Sequence, residues 1–205
     1  FAQQLATTPA PRDEGWRKRV ERDVAKAKEG GWELVFIGDS ITDFWQNRGK
    51  AEWAKYFGAY KALNLGISAD RTEHVLYRIL PASAGGLGQL DPPELQPDVI
   101  LVLVGVNNTW AEETPVVDSV VAGIVKVVNA VHARKPDARI VLQSLIPTSD
   151  PVKNRDALLP INRRIADLAA SPRFSAFVSY LDLYPLFADA AGQQNGAYFV
   201  TDGVH

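Results

Sequence analysis

The chain has 205 residues, 46% of them apolar and 22% charged, with a formal net charge of −2. That length suits one domain with a sizeable core, and the near-neutral balance leaves no electrostatic footprint for nucleic acid or an anionic membrane. Cysteine is absent, which excludes disulfides, thiolate metal sites and cysteine nucleophiles, and the apolar runs read as shorter than the roughly 18 residues that span a bilayer.

Phe1-Ala2-Gln3-Gln4 carries no initiator Met. It reads as the remnant of signal-peptide cleavage, which predicts a secreted or periplasmic protein, with the cytoplasm as the alternative. After Pro9 and Pro11, Asp13 predicts a capped helix running to Gly30-Gly31, with Trp16, Val20, Val24 and Ala27 along one side. Arg17-Lys18-Arg19, interleaved with Glu14, Glu21 and Asp23, predicts a solvated face. Five apolar runs follow, at Glu33 to Ile37, Lys61 to Leu65, Asp98 to Val104, Arg139 to Leu145 and Phe177 to Leu183. The third is continuously apolar, as in a strand covered on both faces. Helical spacing marks Lys50 to Phe57, Arg71 to Leu80, Val116 to Ala133 and Asp156 to Ala170. The Gly- and Pro-rich piece from Pro81 to Pro97 reads as a long surface connection. Strands alternating with helices predict one α/β domain over 1–205: a parallel sheet with helices on both sides, preceded by an N-terminal extension and helix over 1–31. The last residues, Thr201-Asp202-Gly203-Val204-His205, stop in a polar segment and read as a cut chain rather than a finished one.

In such folds function gathers at the carboxyl ends of the strands. There the first run meets Gly38-Asp39-Ser40, the second Gly66, and the third Gly105-Val106-Asn107-Asn108. Ser40 is either a helix cap or a nucleophile, and no GxSxG elbow surrounds it. A nucleophilic serine needs a base oriented by a third group. Of the three histidines, His74 and His132 lie in helical patterns and read as surface or packing residues. His205 has Asp202 three residues earlier in a Gly-containing turn, a spacing that can set a carboxylate beside Nδ1 while Nε2 faces Ser40. The Ser40 and Gly66 N–H groups and the Asn107 amide are candidate oxyanion donors; taken singly, they read as a helix start, a turn glycine and a strand-end asparagine. Asn107-Asn108-Thr109 is formally a glycosylation sequon, but a buried strand end argues against that use.

GDS, Gly, GxN and DxxH, in this order at one sheet edge, resemble the SGNH, or GDSL-like, hydrolase superfamily over Glu33 to His205. Within it, LNLGISADRTEHVLYRIL (Leu63 to Leu80) with GVNN looks most like the catalytic subunits of platelet-activating-factor acetylhydrolase and their bacterial relatives. The resemblance implies a three-layer αβα sandwich, flavodoxin-like, on a five-stranded parallel sheet, and an esterase needing no metal or other cofactor. It implies Ser40 as nucleophile, His205 as base, Asp202 as its orienter, and Ser40, Gly66 and Asn107 as oxyanion hole, with Asp39 supporting the turn. Position 108 is Asn where many members carry Asp, a mark of the acetylhydrolase-like branch. Many members also continue past the His into a closing segment.

The predicted substrate is a small acyl ester with a short, acetyl-like acyl group, an acetylated sugar being one class. Trp45, Trp53 and Trp110 are candidates for a sugar platform; core packing is the expected role of at least two, and Trp110 is the pocket candidate by position. The competing readings are a non-catalytic binding module on the same scaffold, a flavodoxin-like nucleotide binder among them, and a lysophospholipase or thioesterase of the same superfamily. Against the nucleotide binder, IGDSIT lacks a run of small residues and no GxxxxGK[ST] occurs.

Overall fold

The structure, a computed structural model, describes residues 5–111 and 114–205; Phe1 to Gln4, on which the exported reading rests, lie outside the described residues. In chain order, α1 (Glu14–Ala27) leads into β1 (Leu34–Gly38), the short α2 (Ser40–Asp43) and α3 (Lys50–Phe57). Next come β2 (Ala62–Gly66), α4 (Thr72–Ile79), β3 (Val99–Leu103), α5 (Val116–Arg134) and β4 (Arg139–Gln143). The chain continues through α6 (Pro151–Lys153), a π-helical turn (Asn154–Leu158), α7 (Leu159–Ala170), β5 (Val178–Leu181) and α8 (Tyr184–Phe187).

The five strands pair in parallel in the order β2-β1-β3-β4-β5. This is the flavodoxin-like order, whose direction of winding reverses at β1 and β3 and opens a crevice at their carboxyl ends. The register aligns Gly38 with Gly66 on one side and with Leu103 on the other. The loops after β1, β2 and β3 therefore leave the sheet at the same level.

Side chains alternate across each strand. Val35 and Ile37 of β1 join the main core with Val75 and Ile79 of α4, Val120 and Ile124 of α5, and Ile161 and Ile165 of α7. Phe36 faces the other way, against Trp53 and Phe57 of α3, with ring centroids 4.8 and 5.0 Å away. That second face is less completely covered: Val99 and Leu101 of β3 are half-buried, where the continuously apolar run predicts cover on both sides.

Three other expectations change. α5 is long and apolar enough by composition to cross a membrane, but its Val120, Val121, Ile124, Val127, Val128 and Val131 are buried in the core. The helix predicted from Asp156 begins earlier, where the Asp150 carboxylate accepts the N–H groups of Val152 and Lys153 at 2.9 and 3.1 Å. Its π turn has the Leu159 N–H reaching back to Asn154 O. Pro160 lacks an N–H and its ring crowds the preceding turn, which explains the wider winding. Finally, the segment over 81–97 is no simple surface connection, because Leu90 and Leu95 join the core and Gln89 is fully buried.

Candidate active site

β1 ends on a glycine because nothing larger fits: a Cβ on Gly38 would lie 2.5 Å from the Leu103 carbonyl oxygen. Asp39 then caps α2, its Oδ1 accepting the Ile41 N–H at 3.0 Å. Ser40 opens the helix, so its own N–H has no intrahelical acceptor and points out of the helix end. The cap and nucleophile readings of this turn are thus shared between neighbours: Asp39 does the capping and Ser40 is left for other contacts.

Ser40 Oγ lies 2.7 Å from His205 Nε2, and His205 Nδ1 lies 2.8 Å from Asp202 Oδ2. With its proton on Nδ1, the imidazole donates to Asp202 and accepts from the Ser40 hydroxyl. Asp202 Oδ1 accepts the N–H groups of Val204 and His205 at 3.0 and 2.9 Å. These backbone donors, more than the imidazole, lower the Asp202 pKa to about 2. Between them Gly203 takes a left-handed φ of 77°, and its carbonyl accepts the Ser149 N–H at 2.9 Å. The spacing of DxxH in sequence therefore becomes one turn that fixes both groups. The Phe44 ring sits 4.6 Å from the imidazole.

Asn107 and Gly66 fare differently. Asn107 Nδ2 donates to the Asp70 carbonyl at 2.8 Å, and its second amide hydrogen remains available. Gly66 N–H, by contrast, is spent on Asn64 Oδ1 at 2.8 Å. A Cβ on Gly66 would lie 2.5 Å from Asp43 N, so this glycine admits the backbone of α2 against β2. The amide of Gly66, expected as an oxyanion donor, thus already has an acceptor. Three residues on, Ala69 holds a left-handed φ of 64° in a turn closed by the Asp70 N–H to the Ile67 carbonyl at 3.2 Å. Ala69 is exposed, and its N–H has no acceptor among the described residues. Alanine rarely adopts this conformation, at a cost of roughly 1–2 kcal/mol, so no sequence signal marks it.

Asn108, expected as a supporting or substrate-binding residue, is wholly buried behind Asn107. Its Oδ1 accepts the Thr72 N–H at 3.0 Å and its Nδ2 donates to Glu73 Oε2 at 2.8 Å. Asp39 is also fully buried. Burial, with repulsion from Asp70, pushes its pKa up to about 7 against the pull of the Ile41 N–H and Arg78. His74 is a capping group: its Nδ1 accepts the Arg71 N–H at 3.0 Å, and burial, then the nearby arginines, depress it to about 4. His132 stacks on Phe177 with centroids 3.7 Å apart.

A buried ion-pair network that the sequence pattern does not reveal lies beneath the Ser40 turn. Arg78 and Asp70 are both fully buried and pair at 2.8 Å, and Arg78 also donates to the Gly38 carbonyl at 3.1 Å and to Gln89 Oε1. Asp70 Oδ1 accepts Arg12 Nη1 and Trp16 Nε1, each at 2.9 Å. Arg19, expected on a solvated face, instead donates to Asp23, Asp43 and the Gly66 carbonyl at 3.1–3.2 Å. α1 thereby ties itself to the loops after β1 and β2.

Beside His205 opens a cleft of about 380 Å³ whose walls include Ile41, Phe44, Trp45, Phe187 and Tyr198. Trp110, expected at the pocket, does not line it; it is 50% exposed, with Lys153 Nζ 4.3 Å from its ring. Trp53 packs among Phe36, Trp45 and Phe57.

A serine hydrogen-bonded to a carboxylate-oriented histidine, at the switch point of a five-stranded parallel sheet, defines the class of α/β hydrolytic enzymes that work without a GxSxG elbow. Residues 36–205 match the GDSL-like Lipase/Acylhydrolase family, to which this chain belongs, and the chain is a carboxylic ester hydrolase. It is 33% identical to the platelet-activating factor acetylhydrolase IB subunit alpha1 of Bos taurus over 186 residues, 88% of this chain and 71% of that protein. Among solved structures it resembles a GDSL-like lipase from Bacteroides thetaiotaomicron with a TM-score of 0.65 and 19% identity, over 92% of this chain and 88% of the other. It also resembles an acetyl-xylooligosaccharide esterase from Geobacillus with a TM-score of 0.56 and 18% identity, over 86% of this chain and 87% of the other.

Proposed function

We propose that this chain is a serine esterase that removes acetyl or other short acyl groups. The observation that carries the reading is the chain of contacts from Ser40 Oγ through His205 to Asp202, at 2.7 and 2.8 Å. His205 Nε2 takes the hydroxyl proton as Ser40 Oγ bonds to the ester carbonyl carbon, and Asp202 stabilises the imidazolium. The negative charge that develops on the carbonyl oxygen is met by the Ser40 N–H, the second amide hydrogen of Asn107 and the Ala69 N–H. Ala69 replaces Gly66 in this set, because its amide is unspent and its neighbour Asp70 already holds Asn107. The intermediate collapses, its C–O bond breaks, and His205 returns the proton to the departing alcohol. A water, deprotonated by the same imidazole, then releases the acid and restores Ser40.

The named substrate of the Geobacillus esterase makes an acetylated sugar one arm of the test, and the acetylhydrolase relative supports acetate as the acyl group. Hydrolysis of p-nitrophenyl acetate, with single labelling by a serine-directed fluorophosphonate, is expected of the native chain. Ser40→Ala should lose both while folding normally, since it removes one oxygen and little buried surface. A loss of only a few-fold would overturn the nucleophile assignment, and a protein that binds esters without turning them over would favour the binding-module reading.

A further inference from the structure

We infer that Arg12 is a positioning residue for the oxyanion site: it holds the Ser68–Ala69 peptide in the orientation that presents the Ala69 N–H. The inference rests on the serine-esterase reading above and names what aims one of its oxyanion donors.

Residues 67–70 form a tight turn, closed by the Asp70 N–H to the Ile67 carbonyl at 3.2 Å, with Ala69 as its third residue at a φ of 64°. A positive φ at that place is the mark of a type II turn, which glycine favours. Type I, with a negative φ there, is the form open to most other residues. The two forms differ by a rotation of the middle peptide, here the one joining Ser68 to Ala69. Its carbonyl oxygen and its N–H point to opposite sides, because the peptide is planar and trans. Whatever holds the Ser68 carbonyl therefore aims the Ala69 N–H.

Arg12 holds it. Its Nη1 donates to the Ser68 carbonyl at 2.7 Å and, from the same nitrogen, to Asp70 Oδ1 at 2.9 Å. Burial fixes one side of this grip: Asp70 is fully buried, its Oδ1 also accepting Trp16 Nε1 at 2.9 Å and its Oδ2 accepting Arg78 Nε at 2.8 Å. On the other side the segment carrying Arg12 is pinned before and after it. The Ala10 N–H donates to the Glu73 carbonyl at 3.1 Å, and Asp13 Oδ1 caps α1 by accepting the Trp16 N–H at 2.9 Å. Among the described residues, the other hydrogen bonds of the turn do not touch the Ser68–Ala69 peptide. Asp43 Oδ2 accepts the Ser68 N–H and hydroxyl at 3.2 and 2.7 Å, and the Asp70 carbonyl accepts Asn107 Nδ2 at 2.8 Å. A guanidinium on a carbonyl makes a charge-assisted bond, and here it opposes the roughly tenfold disfavour that alanine meets in the left-handed region.

Arg12→Met keeps an unbranched side chain and removes both hydrogen bonds. With kcat referred to active sites titrated by a fluorophosphonate, it should fall about tenfold while KM changes little. The inhibition constant of a trifluoromethyl ketone, whose adduct with Ser40 carries an oxyanion, should rise in proportion. Adding Ala69→Gly should restore kcat to within about threefold of native, because glycine takes a positive φ about as readily as a negative one. Trp16→Phe removes the other donor to Asp70 Oδ1 but leaves the Ser68 carbonyl held, so its kcat should stay near native. An unchanged kcat in Arg12→Met, a change confined to KM, no gain from glycine, or an equal loss in Trp16→Phe each overturns the inference, since Arg12 would then only tie down α1. The φ of Ala69 is also read without substrate, from its backbone carbon chemical shifts. Arg12→Met should move it to negative values, and a retained positive φ overturns the inference whether or not an ester is turned over. A native chain that hydrolyses no ester would sink the esterase reading, whereas an active one whose Arg12→Met keeps its kcat sinks the role of Arg12 alone.

Discussion

The two halves of the Ser40–His205 pair are held in very different ways. Ser40 follows a strand in the middle of the sheet, and the turn that carries it rests on buried Arg78, Asp70 and Asp39. His205 sits in an irregular segment after α8, held by Ser149 N–H and Gln194 Nε2 to the Gly203 carbonyl at 2.9 and 3.0 Å, by the local Asp202 turn, and by ring contacts of Phe44 with His205 and of Phe187 with Tyr198 and Phe199. Ser40 is positioned by long-range buried polar contacts, whereas His205 is positioned by its own turn together with a few contacts from elsewhere. Charges removed from water inside a network make strong demands on geometry; an exposed turn with an Asp cap is cheap to build and adaptable.

The largest effect expected on the adaptable side is that of His205→Ala, a loss of about 10⁴-fold or more in kcat. His74→Ala should keep the native kcat and pH profile, because His74 is depressed to about 4 and is already neutral in the assay range. A loss that followed His74 instead of His205 would refute the assignment of the base. Asp202, lowered to about 2, stays ionised throughout that range.

On the buried side, Arg78→Met should unfold the protein more easily by about 2–4 kcal/mol, because it leaves Asp70 Oδ2 and the Gly38 carbonyl without this buried donor, while Arg12 and Trp16 keep Asp70 Oδ1 paired. Urea midpoints would measure this. Arg164→Ala, which breaks an exposed pair with Asp118, should shift the midpoint little; equal shifts would erase the contrast between the buried and exposed regions.

Asn107→Ala should lower kcat by about 10²–10³-fold with KM little changed, if its amide meets the oxyanion only in the transition state. A change confined to KM would make Asn107 a ground-state binding residue.

The smallest expected effect concerns Asp39. Its folded pKa of about 7 exceeds the ordinary 3.8, so between those values the folded state holds a proton that the unfolded state has released. Stability is therefore greatest below about pH 4 with respect to this group and declines as pH rises through about 7. Asp39→Asn keeps an acceptor for the Ile41 N–H and removes the charge. It should be more stable than the native chain at pH 8, by an amount that shrinks as the pH falls from about 7 towards 4. The two proteins should converge near pH 4. Parallel stability curves would show that Asp39 does not titrate within the folded turn.

Local pattern made much of this molecule legible. Alternating apolar runs and helical spacings specify an α/β sheet because burial imposes those periods on the chain itself. GDS, GVNN and DxxH stand at strand ends or in a tight turn, where close backbone approach and short-range capping demand particular residues. Ser40, Asn107, Asp202 and His205 are therefore legible from sequence as candidate site residues, as is the class of enzyme. The tertiary structure alone decided what depends on partners distant in sequence. Gly66 is occupied by Asn64 and crowded by Asp43, and the free amide belongs to Ala69, whose left-handed turn no alanine announces. Arg19 and Arg78 look like surface charges in a helical pattern, and Arg12 like one just ahead of a helix, until the fold brings Asp43, Gly38 and Asp70 beneath them. Trp110 and Trp45 are equivalent aromatics in sequence; the cleft beside His205 forms from Trp45, because residues 187–200 fold back across the α2 side of the sheet edge. Periodicity reports which face is buried, but not which buried atom finds which partner.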